Sequence, residues 1–258
     1  MKLFYLCLTC VLCFSISNAK ADALFHPFYI SPKGVLTSQT NASYNKQPTK
    51  AYGKKSDTYR THELAQELTY GVSPKVAILG QISNSWKRQT SLSQTTDKTD
   101  ENINWAIGGV YDFYRQSNMH LQARLKYLQR ETHHMDGAYK GFSALVKAGY
   151  DFSFITPYIG ALLELPIAQH KHADNNPKYD AYGAFYMQFL PFALDEQLHY
   201  SYDKMDSVKN FYLRSQAHFL LTERIAISGF FDYSFYKSAK ASRKAQDKTF
   251  GATITLQF

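Results

Sequence analysis

The sequence predicts an all-β fold, a transmembrane antiparallel up-and-down β-barrel of about 12 strands, with about 10 or 14 as the alternatives. Three observations predict it. Apolar and polar residues alternate with period two along stretch after stretch of the chain, as a wall between lipid and water demands. Long polar connections alternate with short tight ones, the asymmetry expected of the two ends of such a barrel. Aromatic residues make up 16% of the chain although mean hydropathy is only −0.38, so the aromatic surface belongs on a lipid face and in interfacial girdles. No run beyond the N-terminal segment is long and apolar enough for a membrane helix.

The N-terminal segment reads as a secretory leader. Lys2 precedes the apolar run Leu3 to Ile16, and Ala19-Lys20-Ala21 supplies a small-residue cleavage site. Cleavage is expected after Ala21, leaving residues 22–258 as one barrel domain. Cys7, Cys10 and Cys13 all fall in the leader, so their spacing is not read as a metal or redox site. Phe14-Ser15 after Cys13 argues against lipidation. The net charge is +8, and the chain stays basic without Lys2 and Lys20, which suits acidic lipopolysaccharide or anionic solutes. Nucleic acid is a poor partner for an exported chain.

Phe25-His26-Pro27-Phe28-Tyr29 is aromatic without periodicity, and no element is assigned to it. A first strand is expected from Val35 to Tyr44 with Leu36, Ala42 and Tyr44 outward, then a lysine-bearing loop from Asn45 to Thr58. The second, Arg60 to Tyr70, sets Leu64, Leu68 and Tyr70 against Glu63, Glu67 and Thr69. Gly71-Val72-Ser73-Pro74-Lys75 is a tight turn. The third strand places Val76, Ile78, Ile82 and Trp86 outward, and a polar loop is expected from Lys87 to Glu101.

The middle of the chain alternates most clearly. Ile103, Trp105, Ile107, Gly109, Tyr111 and Phe113 oppose Asn104, Ala106, Gly108 and Asp112; Leu121, Ala123, Leu125 and Tyr127 oppose Gln122, Arg124, Lys126 and Arg130. Phe142, Ala144, Val146, Ala148 and Tyr150 oppose Ser143, Lys147 and Gly149, and Ile159, Ala161, Leu163 and Leu165 oppose Tyr158, Gly160 and Glu164. The weaker eighth strand carries Phe185, Met187 and Phe189, and the ninth sets Leu198, Tyr200 and Tyr202 against His199, Ser201 and Asp203. The tenth places Phe211, Leu213, Ala217 and Phe219 outward, the eleventh Ile225, Ile227, Phe231, Tyr233 and Phe235. After a basic loop, Lys237 to Gln246, the last stretch sets Phe250, Ala252, Ile254, Leu256 and Phe258 against Gly251, Thr253, Thr255 and Gln257.

The inward faces hold the charges. Arg124, Lys126 and Lys147 point into the lumen, as do Arg214, Glu63, Glu67 and Asp232, with Glu67, Asp112 and Asp151 toward the periplasmic end. Basic residues facing acidic ones across a water-filled pore set up a transverse field that orients polar solutes. The same charges paired into a network, with Tyr158, Tyr186 and Tyr212 beside them, plug a narrow barrel instead. Both readings stay open. Two loops carry histidine pairs, His133-His134 and His170-Lys171-His172, with Asp136 and Asp174 alongside; together they form a candidate divalent-metal site, and the plainer reading is solvated loop residues.

The closing stretch, with Thr249, Gly251, Ile254, Leu256 and the terminal Phe258, resembles the C-terminal signature of bacterial outer-membrane β-barrels. The resemblance implies that Gly251, Ile254, Leu256 and Phe258 belong to a closing strand recognised by the barrel assembly machinery. Tyr70 to Ile78 is similar to the turns these families repeat, and residues 22–258 as a whole resemble the broad group of porin-like and transporter barrels. That resemblance implies an outer-membrane location in contact with lipid and lipopolysaccharide. The leading expectation is a passive channel for small hydrophilic solutes with weak anion preference. The alternative is a non-conducting surface barrel whose basic, histidine-bearing loops bind lipopolysaccharide, host ligands or metal. Barrel enzymes are a third class, and no cofactor is expected. Ile82-Ser83-Asn84-Ser85 lacks the histidine of a His-x-Ser-Asn-Gly nucleophile segment. His199, Ser201 and Asp203 stand in line along one strand about 7 Å apart, too far for a serine–histidine hydrogen bond, so no enzymatic role is expected.

Overall fold

The computed structural model describes residues 24–51, 54–91, 98–116, 118–132, 139–167, 177–203, 208–238, 244–245 and 247–258. Among them are twelve long antiparallel strands and no helix: β1 (Leu36–Ala51), β2 (Lys54–Ser73), β3 (Val76–Ser91), β4 (Lys98–Gln116), β5 (Met119–Thr132), β6 (Tyr139–Tyr150), β7 (Ile155–Pro166), β8 (Lys178–Phe189), β9 (Phe192–Asp203), β10 (Val208–Thr222), β11 (Ile225–Ser238) and β12 (Lys248–Gln257). Each strand pairs with the next, and β12 pairs with both β11 and β1. The sheet therefore closes on itself and has no free edge. Closure runs to the last residue: Phe258 N donates to the Leu36 carbonyl at 2.8 Å, and Leu36 N to the Phe258 carbonyl at 3.3 Å.

Period-two alternation turns each strand into a wall with two chemistries. Leu64, Ile82, Ile107, Leu125, Val146, Ile159, Phe185, Leu198, Leu213 and Ile254 stand exposed on the outside. Tyr70, Tyr111, Phe113, Phe152, Phe192 and Phe258 ring one end, and Trp86, Phe142, Tyr179, Tyr200 and Phe235 the other, the two aromatic girdles of a membrane-spanning barrel.

The wall is taller over β1–β4 than the alternation indicates. The loops expected from Asn45 to Thr58 and from Lys87 to Glu101 are largely strand: β1 runs on to Ala51 and β2 starts at Lys54, while β3 reaches Ser91 and β4 starts at Lys98. Backbone pairing continues above the lipid band, where Lys46 faces Arg60 and Thr61 faces Lys87, with polar residues on both faces. The two-residue strand Lys244–Ala245, inside the expected loop from Lys237 to Gln246, pairs with Lys50 and Thr49. The expected leader (residues 1–21) and His133, His134, His170 and His172 lie outside the described residues.

Candidate functional site: the barrel interior

The half of the lumen nearer the short turns is filled by the stretch that carried no periodicity. Residues from Leu24 to Ser31 lie inside the barrel, with Leu24, Phe28, Ile30 and Ser31 buried. Phe28, 1% exposed, packs against Tyr158, Ala184, Tyr186 and Ala193. Its ring stacks on His120 at 4.9 Å and meets Tyr158 edge-on. Gly149 makes room for it: a Cβ there would lie 2.7 Å from the Phe28 ring. Ile30 packs on Ala77, Leu79 and Val110 from the opposite wall.

Polar contacts fix the segment along its length. Lys147 donates to the Pro27 carbonyl, and Gln122 Nε2 donates to the Phe28 carbonyl at 3.2 Å. Ser31 Oγ donates to Thr37 Oγ1 at 2.8 Å. His120 Nε2 and His26 Nε2 converge on the Asp151 carboxylate at 2.7 and 3.6 Å, and Thr156 Oγ1 donates to it at 2.7 Å. Burial pushes the Asp151 carboxyl up, but the hydrogen bonds from His120, His26 and Thr156 outweigh it and hold it well below the usual carboxylate range.

Above this segment a charged bridge crosses the lumen. Glu67 on β2 accepts from Arg124 and, at 3.0 Å, from Lys126, both on β5. Lys126 also donates to Gln81 Oε1 at 2.7 Å. Strands β2 and β5 are not neighbours, so the bridge is a chord through the interior. It stands between two cavities. The lower, ≈ 260 Å³, is lined by Arg124, Glu67, Lys147, Gln122 and His218 together with the N-terminal segment; the upper, ≈ 230 Å³, by Lys126, Gln81, Glu63, Asn104 and Arg130.

The wall from β7 to β11 carries a second network. Tyr158 OH donates to Asp195 at 2.7 Å, and Gln197 Nε2 donates to it at 2.8 Å. His199 lies between the rings of Tyr182 and Tyr212, 4.6 and 4.4 Å away, with Nδ1 2.7 Å from Asp180. Gly160 admits Tyr182, whose ring lies 2.2 Å from where its Cβ would be. Toward the outer end, Arg130 pairs with Glu164 at 2.9 Å and lies over the Tyr139 ring.

Of the charges singled out in the sequence, Arg124, Lys126, Lys147, Glu63 and Glu67 line the interior cavities, and Arg214 pairs with Asp232, but they do not form an acidic wall opposing a basic one. Glu67 sits at the basic level, between Arg124 and Lys126, rather than in a separate periplasmic ring. Asp232 is held by Arg214 on the adjacent strand at 2.7 Å, because the two are direct cross-strand partners. Lys147 is spent on the N-terminal segment. Glu63 lines the upper cavity. The residues missed are those of the segment itself. A signal for them existed in Gly149, a small residue on an inward face otherwise carrying long side chains, which marks where the Phe28 ring must fit.

No protein-family model matches the chain, and no curated protein matches it by sequence. Solved structures do. The COG4313 outer membrane channel from Pseudomonas putida F1 superposes with a TM-score of 0.70 at 10% identity, over 94% of this chain and 100% of that one. The transport unit of the autotransporter AIDA-I from Escherichia coli gives 0.56 at 10% identity, over 96% and 97%. The translocator domain of the autotransporter NalP from Neisseria meningitidis gives 0.56 at 10% identity, over 100% and 95%. At these identities the likeness is one of fold. The chain has the fold of an outer-membrane β-barrel, closed by twelve strands.

Proposed function

We propose that the protein is a narrow, passive channel that carries small hydrophilic solutes across a bacterial outer membrane, with a weak preference for anions. On this reading it is exported by the leader at residues 1–21, inserted by the barrel assembly machinery, and surrounded by lipid and lipopolysaccharide. The observation that carries the reading is the stacking of two polar cavities on either side of the Glu67–Arg124–Lys126 bridge. Two cations, Arg124 and Lys126, meet one bridging carboxylate at that level, so the local charge is positive and favours anions. The similarity in fold to a protein named as an outer membrane channel is consistent with it. Planar-bilayer recordings of the purified barrel test it: discrete conductance steps are expected, and their absence from correctly folded protein rejects the channel.

A second reading has its own observation. The N-terminal segment is packed into the lumen as tightly as a core, with Phe28 and Ser31 almost wholly buried. That favours a non-conducting barrel that presents its outer-end loops to ligands. The same recordings separate the two readings, and any conductance that appears only after removal of residues 22–31 supports the second.

A further inference from the structure

Glu196 places a carboxyl group on the outward face of the barrel, between the two aromatic girdles. Its placement follows from the alternation of β9. Leu194 and Leu198 on either side are exposed on the outside, while Asp195 and His199 are buried within. Glu196 lies midway along the strand between Phe192 at the periplasmic end and Tyr200 in the outer girdle, and so at the middle of the lipid band.

A carboxyl group at that depth needs hydrogen-bonding partners that lipid tails do not supply. Glu196 has one among the described residues: Ser215 Oγ, its cross-strand neighbour on β10, donates to it at 2.6 Å. The surface around the pair is asymmetric. On the β8 side a lipid-facing hollow of ≈ 530 Å³ is lined by Val146, Ile159, Ala161, Ala181, Gly183 and Leu198. A Cβ at Gly183 would meet nothing within 4 Å. On the β10–β11 side Leu213 stands exposed and the half-buried Phe231 is paired beside Ser215, while Phe211 lines the hollow itself.

We propose that Glu196 marks a docking surface for a second copy of this chain within the membrane, paired about a two-fold axis along the membrane normal. The chemistry is self-complementary: two carboxyl groups brought together out of water share protons and serve each other as donor and acceptor. The shape is self-complementary too. A two-fold axis through Glu196 sets the hollow of each copy opposite the Leu213 and Phe231 side of the other, the arrangement an isologous contact requires. Small residues in the hollow allow the close approach on which association in lipid depends. This inference does not depend on whether the lumen conducts.

Cysteine cross-linking in intact outer membranes tests it, using Leu198→Cys in a chain whose Cys7, Cys10 and Cys13 are replaced by serine. A product of twice the monomer mass is expected. Adding Glu196→Leu should reduce it tenfold or more, whereas Glu196→Gln, whose amide still donates and accepts, should retain it. The difference in gel mobility between boiled and unboiled samples certifies that each variant is folded. Should Glu196→Leu misassemble, Gly183→Phe, which fills the hollow, decides in its place by abolishing the same product. No cross-link from Leu198→Cys, a cross-link to a different protein, or a product undiminished in both Glu196→Leu and Gly183→Phe overturns the proposal.

Discussion

Lys147, in the middle of β6, donates to the carbonyl oxygen of Pro27, a residue 120 positions earlier in the chain, and its ammonium also lies 5.3 Å from the centre of the Phe28 ring. One half-buried side chain thus ties the N-terminal segment to the barrel wall twice. A hydrogen bond to a charged group contributes about 1.5–3 kcal/mol. Removing it by Lys147→Met should raise the population in which the segment is released about tenfold to a hundredfold. Amide hydrogen exchange checks this: exchange across residues 24–31 should quicken by that factor while the strands are unaffected. Unchanged exchange would mean that the Phe28 packing alone holds the segment.

Asp151, in the turn between β6 and β7, gathers His120, His26 and Thr156 at one end of the lumen. Its carboxyl is held below its usual range, so the folded state binds fewer protons there than the unfolded chain. The stability it contributes is therefore fully present above the ordinary aspartate range, about 3.9, and is lost as pH falls from there toward the depressed folded value. The melting temperature of the native protein should exceed that of Asp151→Asn at neutral pH, and the gap should shrink as pH drops below about 4. A gap that widens on acidification would contradict the sign.

The terminal strand offers a contrast within a few residues. Phe258 stands 67% exposed on the outside, and its backbone closes the cylinder against Leu36; Thr255 is buried on the inner face, opposite Gln39 and Ala226. Phe258→Asp should sharply lower the amount of heat-modifiable barrel recovered from membranes, because it places a charge in the interfacial girdle and alters the segment proposed as the assembly signal. Thr255→Ser, which keeps the hydroxyl, should be mild. Equal yields from both would remove the terminal aromatic from the assembly argument.

The barrel was legible because one physical constraint, lipid outside and polar lumen inside, writes itself into every strand as period two. Where the constraint ends, so does the signal. Above the lipid band, Lys46, Gln47, Arg60 and Lys87 have water on both sides, so β1–β4 continue as paired strands in sequence that reads as loop. The interior was legible as a set of inward charges but not as partners. Parity fixes that Glu67 and Arg124 face inward, yet their meeting depends on the curvature of the closed sheet, which no local pattern encodes. The segment Phe25 to Tyr29 failed for a related reason. It is held by His120, Gln122, Lys147, Tyr158 and Tyr186, all roughly a hundred residues or more away, and has no repeating pattern of its own.

The reversal potential of single channels in a salt gradient bears most directly on the proposal that the basic level of the lumen sets selectivity. The native barrel should reverse on the anion side, and the preference should fade as salt screens the field over about 8 Å at physiological ionic strength. Glu67→Gln removes the carboxylate from the bridge and should move the potential further toward anions. Replacing Arg124, Lys126 and Lys147 together with glutamate should carry it to the cation side. A folded, conducting barrel whose reversal potential is indifferent to both changes would show that its narrowest point lies elsewhere.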